Sequence, residues 1–253
     1  MSAIEKHAAV ILGVTRFSET SLIVTLFAQD LGKVAALARG ALRKGSPFAG
    51  CLEPFAECEC LLALKGGREV QTFGGCTLLN YHRAARESAL LIPAAETALE
   101  LIRRTVHDGE PLPRLYRLLT AYLRRLDTEA AASKDHIEKL IWLFILHFLK
   151  IMGFAPALNA CVKCGDTGLT GRVMLSPLSG GAVCPSCALG VRDGRPLSAA
   201  AFAGLQRLAG EGIDTLHAPL EGRDEIRETL RDFLSAHFER DMALNSLCAF
   251  YGA

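Results

Sequence analysis

The stretch AAVILGVTRFSETSLIVTLFAQDLGKVAALARG (8–40) decides how the N-terminal part of the chain is read. It holds three short apolar or alternating runs, AAVILG (8–13), SLIVTLFA (21–28) and KVAALARG (33–40). Runs of this length bounded by turn residues read as strands, and Asp30-Leu-Gly32 has hairpin chemistry. Two more runs follow, FAECECLLAL (55–64) and EVQTFGG (69–75), separated by Lys65-Gly-Gly67. They come after a longer loop, RKGSPFAG (43–50), containing Gly45, Pro47 and Gly50. Five strands with no helix of 10–15 residues between them argue against a βαβ sheet and for a small closed barrel, an OB-fold, with an SH3-like barrel as the close competitor. Within FAECECLLAL, Cys58 and Cys60 alternate with Glu57 and Glu59, which places both thiols on the buried face of a strand.

The period then changes. From about 82 to 152 the pattern is helical: Pro93 can open a helix carrying Ala94, Ala98, Leu101 and Ile102, and Leu112, Leu115, Leu119, Tyr122 and Leu126 make one apolar stripe. HIEKLIWLFILHFLKIM (136–152) is apolar on nearly every side, as expected of a central helix enclosed by others, and His147 within it reads as a satisfied core histidine. Gly153 and Pro156 end that helix. A further helix starts at Ser198 with Phe202, Leu205 and Leu208, and the last carries Ile226, Leu230, Phe233, Leu234, His237 and Phe238. Beside that last stripe Arg223, Arg227 and Arg231 run with Asp224, Glu228 and Asp232, which reads as a solvated face.

Nine cysteines are distributed unevenly. CVKC (161–164) and CPSC (184–187) are two C-x2-C pairs with nineteen residues between them, inside the window of four-cysteine zinc sites. Each pair makes a knuckle whose N–H groups point at thiolates, and two knuckles supply a closed tetrahedral set, so Cys161, Cys164, Cys184 and Cys187 are expected to bind one structural Zn²⁺ per chain. A catalytic zinc would keep an open position. The intervening Gly/Ser/Thr-rich text with RVML suggests a small β-ribbon supported by the metal. His136-Ile-Glu138 loosely resembles a zinc-deaminase signature, but neither cysteine pair is preceded by proline, and Asp135 and Glu138 read as a solvated first helical turn. Cys51, Cys58, Cys60, Cys76 and Cys248 lack ligand spacing and read as packing residues.

The fold class expected is therefore α+β and multidomain: an N-terminal five-stranded OB-fold β-barrel over 1–80, then an α-helical domain over 81–253 carrying a four-cysteine zinc ribbon at about 158–190. With 253 residues, half of them apolar, the chain is too apolar to be disordered. The longest apolar run, Leu140 to Leu146, falls well short of the roughly 20 residues a bilayer span needs, so no membrane partner is expected. A charged opening, MSAIEKHAAV, and unpaired thiols suggest a cytoplasmic protein rather than a secreted disulfide scaffold.

Charge is balanced globally, 28 Lys+Arg against 27 Asp+Glu, which excludes a bulk polycation. It is not balanced locally. Between Asp30 and Glu53 there is no acid, while Lys33, Arg39, Arg43 and Lys44 are all basic. Loops of OB barrels grip oligonucleotides, Phe48 is a candidate stacking platform, and Arg16 and Phe17 could flank the same groove. An ordinary solvated loop with Phe48 tucked into the barrel end is an equally open reading. Arg114, Arg117, Arg124 and Arg125 form a second basic face, read as wet rather than as a phosphate track. G-x4-G-K-[ST], H-E-x-x-H, G-x-S-x-G and G-x-G-x-x-G are all absent, so no enzyme activity is expected.

The order of parts resembles the RecO family of bacterial recombination-repair mediators, most specifically in ETSLIVTLF, LGKVAALARGALR and CLEPFAECE. The resemblance covers essentially the whole chain. It implies an OB domain that binds single- and double-stranded DNA and anneals complementary strands, with RecR and the single-stranded-DNA-binding protein SSB as partners and RecA loaded indirectly. It further implies association with the nucleoid when DNA is bound, and uptake of the acidic SSB tail by the helical part. A zinc-ribbon/OB module binding structured RNA, and an enzyme with a hidden site, are the competing functions.

Overall fold

The computed structural model describes residues 4–46, 48, 50–215, 220–238 and 244–252; Pro47 of the predicted loop lies outside them. The chain divides into two compact units, residues 1–132 with 249–253, and residues 133–248. Strands give way to helices between Asn80 and Arg83, where the sequence pattern changes period at about 82.

In the first unit β1 (Ile4–Arg16), β2 (Leu22–Ala28), β3 (Gly32–Ala38), β4 (Glu57–Ala63) and β5 (Val70–Asn80) close into a barrel of order β1-β2-β3-β5-β4. All neighbours are antiparallel except β3 and β5, which pair parallel through Ala35–Leu37 and Val70–Thr72. This is a closed five-stranded Greek-key barrel, the architecture expected from the run lengths. The alternation seen in the sequence does the sorting: Ile11, Val24, Leu26, Ala36, Cys58, Cys60, Leu62 and Phe73 point inward and make its core. The β2–β3 turn ends on Gly32 at φ +72°, where an added Cβ would fall 1.9 Å from the Glu110 carbonyl oxygen, so glycine is required there. The β1 register shifts between Ile11 and Gly13, and the Leu12 carbonyl at this irregularity accepts a hydrogen bond from Arg103.

Arg103 belongs to the helical part of the same unit, α1 (Arg83–Glu87), α2 (Leu91–Thr105) and α3 (Pro113–Asp127). Helix α2 begins two residues before Pro93, which falls within its first turn; α3 has proline at its first position, as helix starts favour. The stripe Leu115, Leu119, Tyr122 and Leu126 is buried, and the Tyr122 hydroxyl donates to the Ala94 carbonyl at 3.0 Å, tying α3 to α2.

The second unit is built on α4 (Lys134–Ile151), capped by Ser133, whose hydroxyl accepts from the His136 N–H. Leu140 through Leu146 are all buried, as a helix apolar on every side requires. The His147 Nε2–H donates to the Glu211 carbonyl at 2.9 Å, which satisfies that ring. Helices α5 (Ala199–Gly210, capped by Ser198) and α6 (Arg223–His237) follow the ribbon, and α7 (Asn245–Tyr251) begins in this unit and ends in the first, which includes 249–253. Among the described residues no helix is long and apolar enough to cross a membrane.

Two local expectations are corrected. Glu138 is not solvated; it is 1% exposed and is held by Arg223 and Arg227 of α6. The charged face of α6 is correspondingly not a free wet face, since Asp232 also accepts from Arg195 at 2.6 Å. A buried carboxylate needs such partners, because an unpaired one would cost several kcal/mol.

Candidate nucleic-acid interface and metal centre

The basic segment leaves β3 at Ala38 and turns on Gly40, which has φ +71°. The Leu42 N–H donates to the Thr20 carbonyl at 3.0 Å, stitching the segment to the β1–β2 connection. As a result Phe17, Thr20, Ser21, Leu37, Arg39, Gly40 and Arg43 line one concavity of about 420 Å³. Arg39, Arg43 and Lys44 are exposed, and so is Phe17, at 61%. Arg16 is exposed as well, and its guanidinium donates to the Ser18 carbonyl at 3.3 Å and to the Glu19 carbonyl at 3.4 Å, bracing the turn that presents Phe17. The chemistry available is a cationic groove with one aromatic face, suited to a phosphate backbone and a stacked base.

Two of the residues singled out in the sequence lie elsewhere. Lys33 is largely covered: its ammonium donates to the Arg103 carbonyl at 2.8 Å and pairs with Asp108 at 3.3 Å, so it fastens β3 to the last turn of α2 and the segment after it. Phe48 is 6% exposed and packs edge-on against Phe73 with ring centroids 5.6 Å apart, inside the barrel core. Of the second basic face, Arg114 and Arg117 are exposed, while Arg125 pairs with Glu129 at 2.6 Å and Arg124 with Glu57.

The Glu57 pairing belongs to a buried network that sequence reasoning missed. Glu57 is 2% exposed and His82 fully buried; the two meet at 2.9 Å, and Arg124 reaches the same carboxylate. Burial alone would raise the Glu57 carboxyl, but the contacts from His82 and then Arg124 outweigh it and hold it below its ordinary range. The strict alternation of AECECLLAL hid this, because Glu57 and Cys58 are both buried.

In the second unit β6 (Val173–Ser176), β7 (Gly181–Val183) and β8 (Arg195–Leu197) form a sheet of order β7-β6-β8, so the ribbon extends past residue 190. Its two knuckles bring Cys161, Cys164, Cys184 and Cys187 together, with all four sulfurs within 4.8 Å of one another. Metal–sulfur bonds of about 2.3 Å at tetrahedral angles put sulfurs about 3.8 Å apart, and Cys164 and Cys184 are separated by 3.8 Å. The Cys184 N–H points at the Cys161 sulfur at 3.4 Å. That contact, with further N–H groups of Cys164 and Lys163, lowers the Cys161 thiol to about 6, so the backbone is arranged for a thiolate. The donor set fits one metal ion, held without an open position.

Comparisons with known proteins agree with this architecture. The family models described as "Recombination protein O N terminal" and "Recombination protein O C terminal" match residues 1–82 and 86–247. A protein of Anaeromyxobacter sp. named DNA repair protein RecO is 35% identical over 94% of this chain and 93% of its own length. Like-named proteins of Geobacter sulfurreducens, 33% identical over 94% of both chains, and of Myxococcus xanthus, 34% identical over 92% of this chain and 91% of its own, are similar throughout. With both halves matched and similarity running nearly end to end, the chain belongs to the RecO family.

Proposed function

We propose that this chain is a non-enzymatic DNA-binding and strand-annealing mediator of recombinational DNA repair, acting with RecR and SSB to help load RecA on single-stranded DNA. The observation that carries the reading is the groove on the barrel, where Phe17, Arg39 and Arg43 converge on a segment that contains no acid between residues 31 and 52. Its relatives carry the printed name DNA repair protein RecO, which supports a role in DNA repair.

Annealing requires that two phosphate backbones be neutralised while base edges stay free to pair. Exposed guanidinium and ammonium groups do the first without reading sequence, since phosphate contacts position a strand but do not specify it. Arg39, Arg43 and Lys44 supply the charge, and Phe17 supplies a face on which any base can stack. Arg16 braces the turn that carries Phe17. The metal is one structural Zn²⁺ per chain on Cys161, Cys164, Cys184 and Cys187; it would hold the two knuckles of the ribbon together and takes no part in pairing strands. Arg114 and Arg117, both exposed on α3, are among the cations of the helical part that an acidic SSB tail would meet. The protein acts in the cytoplasm, at the nucleoid when DNA is bound.

Direct binding tests the reading. Fluorescence anisotropy on labelled single-stranded DNA, competed with unlabelled duplex DNA and with structured RNA, is expected to show displacement by duplex DNA and weaker displacement by RNA. Preferential displacement by RNA would replace this reading with an RNA-binding one.

A further inference from the structure

Three barrel cysteines that lack ligand spacing in the sequence meet in the folded chain. Cys51 comes from the segment between β3 and β4, Cys58 from β4 and Cys76 from β5, and their sulfurs all lie within 4.8 Å of one another. None is in a disulfide. Cys51 and Cys58 are buried and Cys76 is half-buried, so the cluster is least covered at Cys76. The surroundings are apolar: Cys51 and Cys58 belong to the core with Phe48, Leu52 and Phe73, and Cys76 packs against it. Three sulfurs converging from three segments form a small all-sulfur cluster, and sulfur-only ligation selects soft ions.

We propose that Cys51, Cys58 and Cys76 form a second ligand site, a three-thiol pocket for a soft, trivalent thiophile such as arsenic(III). Coordination number and charge both favour this class. Structural zinc is almost always four-coordinate, and a divalent or monovalent ion on three thiolates would leave net negative charge in an apolar pocket. A trivalent ion on three thiolates is neutral. Arsenous acid enters neutral and reacts by exchange alone: As(OH)₃ + 3 Cys–SH → As(S–Cys)₃ + 3 H₂O. Three As–O bonds break and three As–S bonds form, each thiol proton leaves with a hydroxide as water, and nothing is oxidised or reduced. The occupied site would join β4 and β5 to the chain just after the basic segment.

The test uses the full-length, zinc-loaded protein with sodium arsenite in equimolar amount, followed by desalting, measurement of arsenic and zinc, and X-ray absorption at the arsenic edge. The expected result is one arsenic per chain with three sulfur neighbours and no oxygen, zinc unchanged, and loss of the retained arsenic in Cys76→Ala. That substitution is at the half-buried position; the absorption spectrum of the unaltered protein gives the ligand count even if the variant folds poorly. No retained arsenic, a shell containing oxygen, zinc released in step with arsenic uptake, or full retention in a folded Cys76→Ala protein would each overturn the proposal.

Discussion

Arg124 of α3 closes on the carboxylate of Glu57 of β4 with two guanidinium nitrogens, Nε to Oε1 at 3.1 Å and Nη2 to Oε2 at 2.5 Å. The contact joins helix to barrel within one unit, and its two ends are unlike: the Glu57 side chain is 2% exposed, that of Arg124 62%. Glu57→Ala removes the partner of both Arg124 and the buried His82 and is expected to cost about 3 kcal/mol. Arg124→Ala, screened by solvent and with His82 still in place, costs about 1 kcal/mol. Guanidinium unfolding followed by far-ultraviolet circular dichroism checks the order.

The same carboxylate gives stability a pH dependence. Because Glu57 is held below its ordinary range when folded, its contribution is complete above the unfolded value of about 4.3. It is lost as pH falls through the lower folded value. Glu57→Gln is expected to flatten this acid limb of the stability profile. A Gln variant whose midpoint falls with acid as steeply as the parent would show that other groups set the limb.

On the barrel groove, replacing Arg39, Arg43 and Lys44 with alanine is expected to weaken binding to all DNA sequences alike. The log–log salt slope should flatten by about 0.7 per lost contact on single strands and about 0.9 on duplex. Lys33→Ala, by contrast, removes an internal fastening to Arg103 and Asp108, so it should lower stability and leave the salt slope in place. Salt titrations of the two variants side by side check both statements.

The two phenylalanines should separate in the same way. Phe17→Ala is expected to weaken single-strand binding by about 1–3 kcal/mol without changing stability. Phe48→Ala empties a core position against Phe73 and should destabilise by about 3–5 kcal/mol. Binding and unfolding measurements on both variants decide the matter.

Purified protein is expected to contain about one zinc per chain, and removing it with a chelator should loosen the ribbon. Cys184→Ala should abolish retention, since its sulfur and its knuckle both face Cys161 and Cys164. Metal analysis with thiol titration is the check; four freely reactive ribbon thiols and no metal would contradict it.

Much of this was legible in the residues because the signals are local. Short alternating runs bounded by Gly and Asp became β1 to β5, and two C-x2-C pairs became one four-sulfur cluster. What was not legible depends on distant partners. Glu138 looks like a solvated first-turn acid until Arg223, 85 residues away, is seen on it. Lys33 counts as local charge until Arg103 and Asp108 cover it. Strand β8 is three residues with a proline at its centre, too short to show a period. Cys51, Cys58 and Cys76 do pack in or against the barrel core, as their pattern suggests, but they share no spacing, and their meeting depends on barrel closure.

Annealing by the barrel groove, as proposed, is a binding event that needs no nucleotide. Annealing of complementary oligonucleotides precoated with SSB, followed by strand-transfer fluorescence without any nucleotide, tests it most directly. Stoichiometric protein is expected to accelerate annealing, and the Arg39, Arg43 and Lys44 triple-alanine variant to lose that acceleration while fold and zinc content persist. No acceleration by the parent protein, or equal acceleration by that variant, would contradict it.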